Sequence, residues 1–360
     1  MEIALKIVHV TAEFSTQISG GLGTFVDSLF SAQKKILTPV VFLLHRKPEV
    51  KQSKPTPLNE IEKFQQLLSD FDPDIVHFHD WHGAHLLEGL KRYSGVVVFT
   101  CHLPSVFNGY GEALADYRQR HRSEESLISY ADAVIANSKY TLRQLSALYS
   151  IHPKKKWVVA NGVADVFYGS CTLVNREDLV LAAGRLVAQK GISNFVDACR
   201  LLSEWHPTTK FGIIGEGVLR LPLQSQIKDL GLSDRFEFPG YVNQKQLAYH
   251  FSRSKVVVVP SIYEPFGLVA AEAMACGSCV VASDTGGLRE VVEHGHNGLL
   301  VEVGNANAIA EAVSHLLSKS ESWTVLSHRS KLSAKERFLM EDCSSRYLKI
   351  YRTIVNELPK

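Results

Sequence analysis

The stretch KVVVVPSIYEPFGLVAAEAMACGSCVVAS, residues 255–283, contains the pattern that decides the fold. Its run of valines predicts a buried β-strand, and Pro265 and Gly267 after that run predict a loop that opens a helix at about 267. The apolar run CVVAS at 279–283 predicts a second strand. A strand, a helix and a strand in this order are typical of a parallel sheet with helices on its faces.

The same alternation of short apolar runs and longer amphipathic stretches continues along nearly the whole chain. It predicts two Rossmann-like, doubly wound α/β domains, which comprise residues 1–165 and 176–335. A Gly-rich and polar stretch from about 161 to 176 separates them, and 336–360 is expected to form a helix that packs back on the first domain. The predicted strands lie at 3–10, 39–44, 74–79, 96–100, 133–137 and 157–160 in the first domain, and at 179–184, 210–215, 235–240, 255–260 and 279–283 in the second.

Composition and charge narrow the range of functions. The 360 residues are 45% hydrophobic and 21% charged, which is typical of a globular chain long enough for two cores. Lys and Arg number 39 against 37 Asp and Glu, and the net charge of +2 gives no reason to expect nucleic acid as a partner. The start MEIALKIVHV lacks a signal-peptide pattern, and no apolar run reaches the length of a membrane span. We therefore expect a cytoplasmic protein, with peripheral membrane contact and oligomeric state left open.

Two glutamates in the deciding stretch indicate the ligand. Parallel sheets bind ligands beyond the carboxyl ends of their strands, so we expect the site in a cleft between the two domains. Glu264 falls in the predicted loop and Glu272 in the helix, while the backbone N–H groups of 266–268 at the helix start favour an anion. Carboxylates accept hydrogen bonds from hydroxyl groups. Hydroxyls on either side of a diphosphate are the features of a nucleotide sugar.

The segment EPFGLVAAE, residues 264–272, also resembles the E-x7-E motif of retaining GT-B glycosyltransferases, the large family that includes glycogen, starch and sucrose synthases. This resemblance covers nearly the whole chain in the expected order. It implies a GT-B fold and transfer of a hexose from a nucleoside-diphosphate sugar, UDP-hexose being favoured, to a sugar, lipid-linked or other hydroxyl acceptor. It also implies retention by front-face transfer, with no metal and no cofactor. The further matching blocks are GGLGTF (20–25), HDWH (79–82), TCHLP (100–104), NGV (161–163), GRLVAQKG (184–191), IIGEG (213–217) and GGLREVVEHGHNGLLV (286–301).

The resemblance implies a role for each matching residue. Arg185 and Lys190 would bind the diphosphate, and His102 would contact the donor sugar and the reacting region. Glu264 would bind hexose hydroxyls and Glu272 ribose hydroxyls. The other implied donor contacts are Gly20, Gly21, Gly217, Tyr241, Val242, Phe266, Gly267 and Leu268, and the implied acceptor-side residues are Asp80, Asn108 and Arg118. One departure is Ile18, where glycogen and starch synthases have a lysine, and it argues against a close relation to those enzymes.

Three motifs have rival interpretations. HFHDWH at 77–82 resembles the metal-binding order of hydrolases, so a metal-dependent hydrolase that uses His77, His79, Asp80 and His82 is the alternative function. CGSC at 276–279 has the spacing of a redox pair, although small buried side chains explain it equally well. DYRQRHR at 116–122 fits a solvated helix face, an anionic acceptor or a membrane surface.

Overall fold

The computed structural model of the protein describes residues 5–14, 21–34, 37–43, 57–107, 114–169 and 176–357. The chain divides into two compact units. The first unit combines Met1–Gly162 with Met340–Lys360, and the second is Val163–Leu339. The chain passes between the units at 162–163 and at 339–340, against the sequence expectations of 165–176 and 336.

The first unit contains a six-stranded sheet in the order β2-β1-β3-β4-β5-β6, and every neighbouring pair is parallel. The order reverses between β1 and β3, which is the switch point where doubly wound sheets bind ligands. The strands are β1 (Lys6–Thr11), β2 (Thr38–Leu43), β3 (Ile75–His79), β4 (Val96–Cys101), β5 (Ala133–Ala136) and β6 (Lys156–Val158). The first four helices are α1 (Gly21–Gln33), α2 (Pro57–Phe71), α3 (Leu114–Tyr130) and α4 (Lys139–Leu148).

The second unit contains another six-stranded parallel sheet, in the order β12-β11-β10-β7-β8-β9, which reverses between β7 and β10. Its strands are β7 (Glu177–Ala183), β8 (Lys210–Ile214), β9 (Phe236–Gly240), β10 (Ser254–Val259), β11 (Cys279–Ser283) and β12 (Leu299–Val301). Its helices are α5 (Ile192–Trp205), α6 (Arg220–Asp229), α7 (Gln244–Arg253), α8 (Leu268–Ala275), α9 (Leu288–Val291), α10 (Ala306–Ser318) and α11 (Ser320–Arg337). The last helix, α12 (Met340–Glu357), belongs to the first unit. The expectation of two Rossmann-like α/β domains is confirmed.

Burial on both faces explains why the strands of the first unit have apolar runs rather than alternation. On one face, Ile7, Ile75 and Val98 pack with Phe25 of α1 and Tyr347 of α12. On the other face, residues such as Val8, Phe78 and Phe99 pack under α2 and α3. The unit therefore contains two apolar layers, and α12 completes one of them.

Most sequence expectations for the elements agree with these bounds. The strand, loop and helix of the deciding stretch are present, and α8 starts one residue after Gly267. Residues 44–56 lie outside the described residues, and α2 starts at Pro57. In the described part of the chain, no helix is long and apolar enough to cross a bilayer.

Candidate functional site

The loops that follow β7 and β10 bring two charged side chains together at the switch point of the second unit. Lys190 Nζ lies 2.6 Å from Glu264 Oε2, and Ser261 Oγ donates to the same oxygen at 3.0 Å. The loops approach closely because Gly191 has no side chain: a Cβ there would lie 2.1 Å from the carbonyl oxygen of Pro260. The arrangement places a cation beside a carboxylate beyond the carboxyl ends of two neighbouring strands.

The turn between Glu264 and α8 leaves a row of backbone donors unused. Gly267 has φ +106°, a conformation that favours glycine, and α8 begins with the next residue. Within the described residues, the N–H groups of Phe266, Gly267 and Leu268 have no hydrogen-bond acceptor. Free N–H groups at a helix start attract an anion or a hydroxyl oxygen.

A second glycine fixes this turn from below. The N–H of Gly287 donates to the carbonyl oxygen of Glu264 at 2.8 Å. A Cβ at Gly287 would lie 2.1 Å from the carbonyl oxygen of Pro265, so the loop from β11 packs directly on the turn. Gly287 therefore determines where the backbone of Glu264 lies.

Glu272 is a buried carboxyl on α8. Its side chain is only 4% exposed and makes no hydrogen bond with any residue that the structure describes. Burial raises the pKa of Glu272 to about 8, so the group is largely protonated at neutral pH. In that form it can both donate to and accept from a hydroxyl group.

The remaining donor-side residues of the second unit lie at the ends of β7, β8 and β9. Arg185 is exposed and follows β7 by two residues. Gly217 has φ +157°, and a Cβ there would lie 2.4 Å from the carbonyl oxygen of Leu186, so this position accepts only glycine without displacement. Tyr241 is 58% exposed just after β9, and Val242 is half-buried. All of them lie in the second unit with Lys190.

In the first unit, four histidines lie together at the switch point between β1 and β3. His9 and His77 occupy paired positions of these strands, and His79 and His102 end β3 and follow β4. His9 Nδ1 is 2.9 Å from His79 Nε2, and His79 Nδ1 is 3.2 Å from His102 Nε2. The fourth ring, His77, bonds instead to Tyr351 and Thr100, each at 2.7 Å.

All four rings are neutral at physiological pH because they are buried. Burial lowers the pKa of His9 to about 4 and that of His102 to about 3. The pKa values of His77 and His79 lie well below the usual range, first because of burial and then because neighbouring histidines repel a second charge. A neutral imidazole has one N–H and one lone pair, so each ring both donates and accepts.

The backbone of His102 is fixed on both sides. Asp80 Oδ1 accepts from the N–H of His102 at 2.6 Å and from that of Leu103 at 3.3 Å, and Asn137 Nδ2 donates to the His102 carbonyl at 3.0 Å. Asp80 itself has φ +59°, which ends β3 sharply. Burial raises the pKa of Asp80 to about 7. Asp80 therefore has a clear structural task at the turn, in addition to the expected acceptor-side role.

The hydrolase alternative is not supported. His82 is exposed and stacks on Trp81, and the Asp80 carboxylate binds backbone N–H groups. The turn at Asp80 moves the next residues out of the strand and into a 3-10 helix, Trp81–Leu90, so the four expected ligands do not converge. Among the described residues, the histidine, cysteine and acidic side chains close enough to share a metal ion are His9, His77 and His79.

Other expected residues are dispersed. Gly20 and Asn108 lie outside the described residues, and Gly21 is the first residue of α1. Arg118 is exposed on α3 and lines a shallow depression together with His85 and Arg122. Cys276 and Cys279 are buried thiols that donate separately to the carbonyl oxygens of Phe167 and Trp323, which favours the structural interpretation over a redox pair.

Sequence reasoning missed two residues of the histidine group, His9 and Gln33. Gln33 Oε1 lies 2.7 Å from His9 Nε2, and both side chains are fully buried. His9 lies between apolar residues in β1. A polar residue inside a predicted buried strand is a pattern from which His9 could have been selected as a candidate functional residue. Nothing in the sequence around Gln33, at the end of α1, distinguishes it from a surface residue.

Comparisons with known proteins identify the family of the chain. The family model described as Glycosyltransferase Family 4 matches residues 25–165, and the model described as Glycosyl transferases group 1 matches residues 172–335. An uncharacterised glycosyltransferase of Methanocaldococcus jannaschii is 29% identical over 314 residues, which cover 81% of this chain and 78% of that protein. The D-inositol 3-phosphate glycosyltransferase of Frankia alni is 32% identical over 284 residues, 72% of this chain and 68% of that protein.

Some curated relatives are longer, and the match covers 60% of the glycogen synthase of Mycobacterium tuberculosis, at 31% identity over 68% of this chain. Among solved structures, Anabaena HepE in complex with UDP-glucose superposes with a TM-score of 0.82 at 20% identity, over 97% of this chain and 100% of that chain. At this identity the superposition demonstrates the fold.

Proposed function

The chain belongs to the group 1 and family 4 glycosyltransferases of the GT-B fold, and from this premise we propose that it transfers a hexose from a nucleoside-diphosphate sugar to a hydroxyl group with retention of configuration. UDP-hexose is the favoured donor, a choice supported by the UDP-glucose complex of HepE. The acceptor is a sugar, a lipid-linked sugar or another hydroxyl compound.

The observation that carries the proposal is the pair formed by Lys190 and Glu264 next to the free N–H groups of 266–268. A lysine ammonium 2.6 Å from a carboxylate that accepts hydrogen bonds matches a nucleotide sugar, in which a diphosphate adjoins a hydroxyl-rich sugar. Lys190 would then bind a phosphate oxygen, and Glu264 would accept from hexose hydroxyls. Ser261, which donates to the Glu264 carboxylate, would keep that group in place with and without bound nucleotide sugar.

The chemistry of the leaving group explains the two cations. When the bond between the anomeric carbon and the phosphate oxygen breaks, negative charge grows on the diphosphate. Lys190 and Arg185 stabilise this charge more in the transition state than in the ground state. The same charge compensation is what a divalent ion would supply, so we propose that the reaction proceeds without metal.

We propose front-face transfer rather than double displacement. A double displacement needs a carboxylate nucleophile at the anomeric carbon, whereas this proposal assigns Glu264 to the hexose hydroxyls. In front-face transfer the acceptor oxygen forms its bond on the side from which the phosphate departs. Because the new bond forms on the face from which the phosphate leaves, configuration is retained. The proton of the acceptor hydroxyl passes to the departing phosphate.

In this proposal, Glu272 contacts the ribose end of the nucleotide sugar and His102 contacts the transferred sugar. Glu272, largely protonated at neutral pH, would bond ribose hydroxyls as donor and acceptor. His102, with its backbone fixed by Asp80 and Asn137, would contact a hydroxyl of the transferred sugar. Arg118 of the first unit is the proposed contact for an anionic part of the acceptor.

Thermal-shift measurements with a panel of nucleotide sugars, each with and without EDTA, test the proposal. A large shift with one donor that is insensitive to the chelator would identify both base and sugar. Lys190→Met should abolish that shift and the transfer activity, whereas Lys228→Met, at an exposed position of α6, should leave both unchanged. Full activity of Lys190→Met, or activity that depends on added metal, would contradict the assignment.

A further inference from the structure

A chain of hydrogen bonds joins the end of α1 to His102. It runs from Gln33 Oε1 to His9 Nε2 at 2.7 Å, from His9 Nδ1 to His79 Nε2 at 2.9 Å, and from His79 Nδ1 to His102 Nε2 at 3.2 Å. Every side chain of the series is at least nine-tenths buried. Water therefore has little access to these bonds, and each ring nitrogen in the series depends on its protein partner.

The chemistry of Gln33 gives the chain a direction. An amide oxygen only accepts, so His9 places its proton on Nε2 and leaves Nδ1 as a lone pair. That lone pair accepts from His79 Nε2–H, and the lone pair of His79 Nδ1 accepts from His102 Nε2–H. The proton of each neutral ring is thereby assigned in turn.

We propose that Gln33, His9 and His79 are positioning residues that hold His102 with its proton on Nε2 and a lone pair on Nδ1, so that His102 meets a substrate hydroxyl as a hydrogen-bond acceptor. Within the described residues, no side chain bonds His102 Nδ1. The inference rests on the proposed function, which gives His102 its contact with the sugar.

The neighbouring groups do not interrupt the chain. His77 stacks beside His79, with ring centroids 4.1 Å apart, but both nitrogens of His77 are occupied by Tyr351 and Thr100. Asp80 bonds the backbone of His102 rather than its ring. The ring of Phe25, whose centroid lies 5.1 Å from that of His102, brings no polar group to it.

The chain ends at a group that cannot take a proton. An amide is not basic, so the series fixes a tautomer and does not carry protons away from His102.

Long-range ¹⁵N–¹H NMR spectra of the full-length protein at pH 7 test the inference, with His102 assigned from the His102→Asn variant. The expected result is a neutral His102 with protonated Nε2 and bare Nδ1. Gln33→Leu should change the ratio of the two tautomers of His102 about fivefold, the effect of losing one hydrogen bond. Gln65→Leu, at an exposed position of α2, should change nothing.

Several results would overturn the inference. These are a proton on His102 Nδ1 in the unmodified protein, an unchanged tautomer ratio in a folded Gln33→Leu protein, or stoichiometric zinc coordinated by His9 and His79 in place of their shared proton. Donor binding is measured separately by thermal shift. If the NMR spectrum shows the expected tautomer but no nucleotide sugar produces a thermal shift, the proposed function is refuted and the hydrogen-bonded chain is not.

Discussion

Acidification should destabilise the first unit through its buried histidines, and His9→Asn should remove a measurable part of that effect. An unfolded histidine binds its proton near pH 6.5, whereas burial lowers the pKa of folded His9 to about 4. Between these values the unfolded state binds more protons than the folded state, so stability falls as the pH falls. Above pH 6.5 the contribution of His9 to this pH dependence vanishes.

The size of the effect follows from the two pKa values. Between pH 7 and pH 5, His9 alone should lower the free energy of unfolding by about 2 kcal/mol. Asp80 acts in the opposite direction because its pKa is raised to about 7, so the total change is smaller than the sum over the histidines. The difference between the unmodified protein and His9→Asn cancels the contribution of Asp80, which both proteins share. It contains the His9 contribution of about 2 kcal/mol together with the smaller change at His77 and His79, whose pKa values His9 also lowers.

Urea unfolding at pH 7 and pH 5, read by pulsed hydrogen exchange and mass spectrometry of peptides from β1 and β3, reports the first unit separately. His9→Asn loses its bond to Gln33 and should be less stable at pH 7, but its stability should change less on acidification. His328→Asn, at an exposed position of α11, is the matched control and should behave as the unmodified protein. Equal pH dependence in the unmodified protein and His9→Asn would show that His9 does not titrate with a lowered pKa in the folded state.

Three further predictions concern single contacts. Gly287→Ala should displace the turn on which Gly287 packs and lower activity at least about tenfold. Gly169→Ala is the control and should keep full activity, because a Cβ there meets its nearest atom at 3.5 Å. Equal activity of the two variants would contradict this prediction. Tyr351→Phe removes the partner of a buried histidine nitrogen and should cost about 1–3 kcal/mol in chemical unfolding, so an unchanged stability would exclude this bond. Glu272→Gln should make the second unit more stable than the unmodified protein at pH 8. The folded carboxyl, with its pKa raised to about 8, binds more protons than the unfolded one between pH 4.5 and 8, so the unmodified protein loses stability as the pH rises through that range. Thermal unfolding at pH 5 and pH 8 tests this prediction, and a stability difference that does not grow with pH would contradict it.

The sequence was sufficient to predict the parallel α/β architecture of the second unit and the proximity of Lys190 to Glu264. Strand, turn and helix between 255 and 283 follow from local patterns, because valine runs, Pro265 and Gly267 act on the chain close to where they stand. The rule that parallel strands bind ligands at their carboxyl ends then places Lys190 near Glu264 without coordinates. β12 has only three residues, Leu299–Val301, and such a short run carries too weak a pattern to be recognised.

The histidine group could not be predicted in the same way, because it depends on contacts between distant segments. His9 meets His77 only through the register of β1 and β3, and Gln33 reaches His9 only through the packing of α1 on the sheet. The alternative prediction of a metal site formed by His77, His79, Asp80 and His82 is not supported, for a local reason that the sequence does not reveal. A single positive φ at Asp80 ends the strand, so the alternation that places His77 and His79 on one face does not extend to His82.

His102 is fixed by more contacts than any packing requirement explains. Asp80 binds its N–H, Asn137 binds its carbonyl oxygen and His79 binds its ring, and these residues come from the ends of β3 and β5, the two strands that flank β4. The positive φ of Asp80 costs about 1–3 kcal/mol, and the two bonds it makes to the backbone of 102–103 offset that cost. Strain that is retained at one turn in order to fix a nearly buried imidazole is typical of a residue that must meet a ligand in one orientation. This supports His102, rather than the exposed histidines, as the group of the first unit that contacts the substrate.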